Sequence, residues 1–103
     1  MINVTVFYPN TAGKTFDLTY YCDQHIPLVR QKLGAACKSV RVEAGLSGVA
    51  PGSPAAYTTI CHLFFDSVEA FQAVFAPNAQ ALIDDIPNFT DIQPIMQLSD
   101  VKM

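Results

Sequence analysis

The chain has 103 residues, of which 50% are hydrophobic and 15% charged, and its formal net charge is −3. That is one domain's length, globular rather than disordered, and its six Lys and Arg are scattered singly, which argues against a basic nucleic-acid-binding face. No apolar run is long enough to cross a bilayer, and the low charged fraction implies a bare surface or one that meets another chain.

Residues Ile2 to Tyr8 alternate with period two and are rich in β-branched side chains, the pattern of a strand. Ile2, Val4, Val6 and Tyr8 share one face, and Asn3, Thr5 and Phe7 the other. The stretch has no basic start, so no secretory leader is expected. Pro9 to Gly13 supplies turn chemistry. From Asp17, a fitting N-cap, the period becomes helical: Leu18, Tyr21, Cys22, His25, Leu28, Val29 and Leu33 form one stripe, which Gly34 ends. Pro27 lacks an amide hydrogen and its ring clashes with the Asp23 carbonyl, so the helix should kink or restart there.

Cys37 to Gly48 reads as a second strand, with Val40, Val42, Ala44 and Leu46 alternating against Arg41 and Glu43. After the loop Pro51-Gly52-Ser53-Pro54, the most apolar strand runs from Ala56 to Phe65. Asp66-Ser67-Val68-Glu69 has the spacing of a reciprocal cap, with Asp66 as the cap and Glu69 returning the bond. The helix behind it presents Val68, Phe71, Val74 and Phe75. Ala79, Leu82, Ile83 and Ile86 make a further amphipathic turn or two, closed by Pro87, and Asp91 to Asp100 is the last strand.

The order β-α-β-β-α-β defines an α+β, ferredoxin-like domain over residues 1–103, a four-stranded antiparallel sheet with helices on one face. The second and fourth strands are its edges, where Gly45, Gly48 and Pro94 are tolerable. In the third strand Thr58, Ile60, His62 and Phe64 point one way, and Tyr57, Thr59, Cys61, Leu63 and Phe65 the other. Both faces are largely apolar, yet helices cover only one. A second copy of the chain, in a homodimer, is the simplest cover for the other.

His25 is the leading candidate for chemistry: a polar ring in an apolar stripe must find hydrogen-bond partners or line a cavity. His62 joins it if its strand face meets the helices, and is an interface residue if that face meets a partner chain. Cys61 and His62 are neighbours in a strand and project to opposite faces, so they share no metal. Tyr8 and Tyr21 carry hydroxyls on faces that could reach the same cavity, and imidazole and phenol are the ordinary acids, bases and donors for a polarised substrate oxygen. Asp84 and Asp85 read as a solvated helix face. The three cysteines, Cys22, Cys37 and Cys61, are odd in number and lack metal spacing, which implies reduced thiols in the cytoplasm. No Gly-rich phosphate loop is present, and neither metal nor cofactor is expected.

Phe7-Tyr8-Pro9-Asn10, Tyr20-Tyr21 with His25-Ile26-Pro27-Leu28-Val29 and Leu33-Gly34, Phe65-Asp66-Ser67-Val68-Glu69-Ala70-Phe71, and Asp85-Ile86-Pro87-Asn88-Phe89-Thr90-Asp91 together resemble the EthD family, nearly end to end. The resemblance implies a dimeric α/β barrel, two ferredoxin-like chains packed sheet to sheet. The family is named for gene clusters that degrade ethyl tert-butyl ether. Relatives with the same barrel include cofactor-free monooxygenases and polyketide cyclases or dehydratases, with ligands bound between sheet and helices. It implies a cofactor-independent oxidoreductase or oxygenase-type enzyme for a small apolar or aromatic compound, in a catabolic or polyketide-like pathway. His25 would act with Tyr8 and His62, and Tyr21, Cys22, Ile60, Phe64 and Phe71 would touch substrate. A non-catalytic ligand carrier or accessory protein is the alternative, and haem ligation through His25 or His62 a third reading.

Overall fold

The computed structural model describes all 103 residues. Four strands, β1 (Ile2–Pro9), β2 (Ser39–Ala44), β3 (Tyr57–Phe65) and β4 (Ile95–Asp100), form one antiparallel sheet in the order β2-β3-β1-β4. The central strands are thus β1 and β3, and the edges are β2 and β4, as the sequence pattern requires of a ferredoxin-like fold. Helix α1 (residues 18–33), helix α2 (Val68–Phe75) and the short helix α3 (Ala79–Asp85) cover one face. No helix is long and apolar enough to cross a membrane.

Alternation sets the core. Val4 and Tyr8 of β1 and Thr59, Cys61, Leu63 and Phe65 of β3 are buried beneath the helices. Val29 and Leu33 of α1, Phe71 of α2 and Leu82 of α3 close over them, with Phe89 and Ile92 from the segment before β4. Burying an aliphatic or aromatic side chain of this size contributes about 1.5–3 kcal/mol each, against the entropy of ordering it. Tyr57 departs from the alternation. A bulge pairs Tyr8 with Thr59 but Pro9 with Tyr57, and the Tyr57 ring comes to 4.9 Å from that of Phe7.

Helix α1 starts where expected, the Asp17 carboxylate accepting the Tyr20 amide at 3.0 Å. Pro27 does not break the helix. The residues before it, Tyr21–His25, form a π-helical turn in which Ile26 N–H bonds to Tyr21 C=O, five residues back. A proline ring crowds the carbonyl four residues before it, and widening that turn relieves the clash while keeping the chain helical. The extra residue also re-phases the stripe: Tyr21 and His25 turn inward, whereas Cys22 faces solvent. Gly34 ends the helix at φ 63° and ψ −149°, a conformation open essentially to glycine alone.

Three local expectations are corrected. The cap of α2 is Ser67, whose hydroxyl accepts the Ala70 amide at 3.0 Å. Asp66 lies one residue too early to reach that amide and instead faces the Lys38 ammonium at 3.6 Å. Strand β2 ends at Ala44, and Leu46 is 97% exposed. Gly45 still bonds to Thr58, so close that a Cβ there would strike the Tyr57 carbonyl. Strand β4 starts at Ile95 because residues 90–92 are drawn to the start of α1: Thr90 Oγ1 donates to Thr15 C=O at 2.6 Å, and Asp91 accepts the Thr15 amide at 2.9 Å.

Candidate functional site

His25, four residues beyond Tyr21 on the π turn, points into the layer between α1 and the sheet and is 6% exposed. Its ring stacks on Tyr21 with centroids 5.4 Å apart and packs on Phe89 at 4.6 Å. Phe89 is the hub of an aromatic cluster that also holds Tyr8, Phe16 and Tyr20.

The polar requirement of that buried ring is met from the far side of the chain. His25 Nδ1 lies 2.9 Å from Asp85 Oδ2, at the end of α3. The other carboxylate oxygen accepts the Tyr20 hydroxyl at 2.8 Å and the Asn88 amide at 2.9 Å. Burial pushes the Asp85 carboxyl toward protonation, but the hydrogen bonds from Asn88, His25 and Tyr20 together outweigh it and hold its pKa below the ordinary value. Burial has the opposite effect on the imidazole, lowering the His25 pKa more than the bond to Asp85 raises it. The pair is therefore a neutral imidazole on an anionic carboxylate. An ionised carboxylate only accepts, so Nδ1 carries the hydrogen and Nε2 presents its lone pair.

Nε2 has no hydrogen-bond partner in the chain, and it is not sealed off: Asn3 Oδ1 is the only fully buried side-chain N or O atom left unpaired. The His25 ring lines a cavity of about 70 Å³ formed by 13 residues, 11 of them hydrophobic, and Nε2 is its one nitrogen left free for a ligand. Val29 and Leu33 form the α1 wall, Val6, Tyr8 and Leu63 the sheet floor, Phe71, Phe75 and Leu82 the helical roof, and Ile83, Pro94 and Met96 the mouth. No Lys, Arg, Asp or Glu lines it. The Tyr8 and Tyr21 rings pack edge to face beside Cys61, and burial pushes both phenols far above their usual range. Burial likewise raises the Cys61 thiol, to about 11, which leaves it an inert core group. A lone pair held in a dry pocket by a carboxylate can accept a proton or a hydrogen bond from a bound molecule.

A second hollow, an open groove of about 630 Å³ between residues 15–17 and 86–93, is a surface feature. Its carboxylates, Asp17 and Asp91, already accept backbone amides.

Of the residues singled out from the sequence, Tyr8, His25 and Phe71 line the cavity, and Tyr21 lies behind His25. His62 does not join them. It sits on the sheet face away from the helices with Ile60 and Phe64, opposite Thr5 of β1 and Arg41 of β2, so these three do not line the cavity. Asn3 Nδ2 donates to His62 Nδ1 at 3.0 Å, and Nε2–H donates to Glu43 at 3.2 Å. Cys22 also lies outside the cavity, turned to solvent by the π turn. Asp85 is the residue that periodicity missed, and so is Phe89. Both stand in the Asp-Ile-Pro-Asn-Phe segment that carries the family resemblance, which was the available signal.

Neither imidazole suits a haem: His25 faces a space smaller than the macrocycle, and both His62 nitrogens are engaged. No group of three or more His, Cys, Asp and Glu side chains is placed to hold a metal ion.

Comparison with known proteins agrees with the fold. An EthD-like protein from Ralstonia eutropha JMP134 is 44% identical, covering 99% of this chain and 92% of its own, with a TM-score of 0.95. An ethyl tert-butyl ether degradation (EthD) family protein from Bacillus halodurans C-125 shares 14% identity over 99% of both chains, with a TM-score of 0.68. A dimeric ferredoxin-like protein of unknown function from Thermobifida fusca YX shares 18% identity, covering 97% of this chain and 90% of its own, with a TM-score of 0.59. No curated protein matches the chain. The EthD domain model matches residues 12–93, a span that holds α1 with His25 and the segment with Asp85, and the chain belongs to the EthD family.

Proposed function

We propose that this protein is a homodimeric, cofactor-independent enzyme of oxygenase or related oxidoreductase type, acting on a small apolar or aromatic compound held between sheet and helices. The observation that carries the reading is His25, a ring that lines an otherwise apolar cavity, with Nδ1 held by Asp85 and Nε2 unpartnered. His25 is the proton acceptor for the substrate, Asp85 and Tyr20 are positioning residues, and Tyr8 and Phe71 belong to the cavity wall. Membership of the EthD family supports a small-molecule-binding role.

The dimer reading rests on the open sheet face. Phe7, Ile60, Phe64 and Ile95 project from it around Thr5, and none is covered by a helix. The Thermobifida fusca neighbour is itself dimeric. Sheet-to-sheet packing of two copies would remove these side chains from water, and obligate interfaces of this kind bury more than about 2,000 Å².

The test is a screen of small phenols and enols for oxygen consumption and product formation, repeated with His25→Leu. Turnover by the wild type and none by a folded, dimeric His25→Leu protein supports the reading. Binding with no turnover of any bound compound replaces it with the carrier role. Full activity of His25→Leu overturns the assignment of His25.

A further inference from the structure

We infer that the cavity is built for a neutral, single-ring molecule that donates one hydroxyl to His25 Nε2 (a simple phenol or the enol of its size) and that it rejects carboxylates. This rests on the reading of the cavity as the ligand site, and adds the charge, size and hydrogen-bonding sense of the ligand.

Charge comes first. Each of the six Lys and Arg side chains lies elsewhere, so an entering anion finds no counter-ion. The nearest formal charge is the Asp85 carboxylate behind the imidazole, and it is negative. Burying an unpaired carboxylate is among the most costly substitutions of water by protein. A phenol avoids that cost, because it ionises near pH 10 and enters neutral.

The hydrogen-bonding sense follows from the carboxylate. Asp85 takes the Nδ1 hydrogen, so Nε2 accepts and does not donate. The Tyr8 hydroxyl lies beside Tyr21 and Cys61, neither of which lines the cavity, so the His25 acceptor is the main polar group offered to a ligand. A molecule with one donor satisfies it and leaves nothing unpaired.

Size closes the case. An apolar cavity of about 150 Å³ takes benzene. The space here is about 70 Å³, and the lining side chains free to make room for a ring are Ile83, 52% exposed, and Met96, 46% exposed. An unbranched Met adapts readily to such a change. Two fused rings would require the floor or roof to move, which close packing resists.

The experiment follows 4-methylphenol, its isostere 1,4-dimethylbenzene and 4-methylbenzoate by NMR shifts of the cavity methyls of Val29 and Leu82 at pH 7.5. The expected result is saturable binding of the first two and none of the benzoate. Replacing His25 by Leu should lower the ratio of 4-methylphenol to dimethylbenzene affinity by about tenfold, the worth of one net hydrogen bond. Asp85→Asn retains the volume and turns Nε2 into a donor, which leaves the phenol only its weaker accepting oxygen, so the same ratio should fall there too, though by less than in His25→Leu. Benzoate binding as tightly as the phenol overturns the charge argument and leaves the ligand site standing. A ratio unchanged in both variants overturns the acceptor role of Nε2. Failure of all three compounds to shift the cavity methyls overturns this inference and the ligand-site reading together.

Discussion

Replacing Asp85 by Asn tests the centre of the site while barely changing its shape. The carboxylate takes three hydrogen bonds, from Tyr20, Asn88 and His25, at 2.8–2.9 Å. In Asp85→Asn the amide oxygen retains Tyr20 and Asn88, and the amide nitrogen faces His25. That nitrogen donates, so His25 Nδ1 must become the acceptor and the ring hydrogen moves to Nε2. Hydrogen bonds to a charged group contribute about 1.5–3 kcal/mol and neutral ones about 0.5–1.5. The side chain of Asp85 is only 13% exposed, so solvent screens little of that difference. Weakening the set in this way should cost about 2 kcal/mol, roughly 10 °C in melting temperature for a chain of this size. The protein stays folded, since domains of this kind have about 5–15 kcal/mol in reserve. Urea denaturation reads the loss, and long-range ¹H–¹⁵N correlation spectra of the His25 ring read which nitrogen is protonated. An unprotonated Nε2 in both proteins, or an unchanged denaturation midpoint, would refute the reasoning.

Because burial lowers the His25 pKa below its unfolded value, the folded protein binds fewer protons there than the unfolded chain. The stability this gives is complete above about pH 6.5 and is lost as pH falls from there through the lower folded value. The slope of denaturation midpoint against pH in that window should shrink in His25→Leu, whereas the stability from the lowered Asp85 carboxyl pKa is complete above about pH 4 and is lost only below it. Ser67→Ala should cost on the order of 1 kcal/mol in urea denaturation through loss of the α2 cap. Asp66→Ala, which breaks only an exposed pair with Lys38, should cost less than about 1 kcal/mol; the reverse order would restore Asp66 as the cap. Phe7→Asp puts a charge at the centre of the open sheet face, and sedimentation should show a monomer where the wild type is a dimer. A wild type that sediments as a stable monomer at micromolar concentration would defeat that expectation before any variant is made.

The features readable in the sequence are those decided within a few residues. The two faces of β1 and β3 follow from period-two alternation, the start of α1 from Asp17, and its end from Gly34, whose backbone angles few other residues adopt. The edge positions of β2 and β4 follow from element order. The inward turn of His25, a polar ring on an apolar stripe, is likewise legible, because a helix face is a local property.

What only the tertiary structure decided were choices between equal local options. Alternation says that Ile60, His62 and Phe64 share a face, but not which face, since both sets on β3 are apolar and only the helices' position breaks the tie. Asp66 and Ser67 both have cap chemistry, and backbone geometry selects the one whose oxygen reaches the Ala70 amide. Cys22 left the helix stripe because Pro27 is accommodated by a wider turn rather than a kink. Asp85 has the sequence context of any solvated carboxylate at the end of a short helix. It becomes the partner of His25, 60 residues away, because α3 and the turn after it fold back over α1. A contact at that separation leaves no periodic trace, because it depends on the path of the whole chain between its ends.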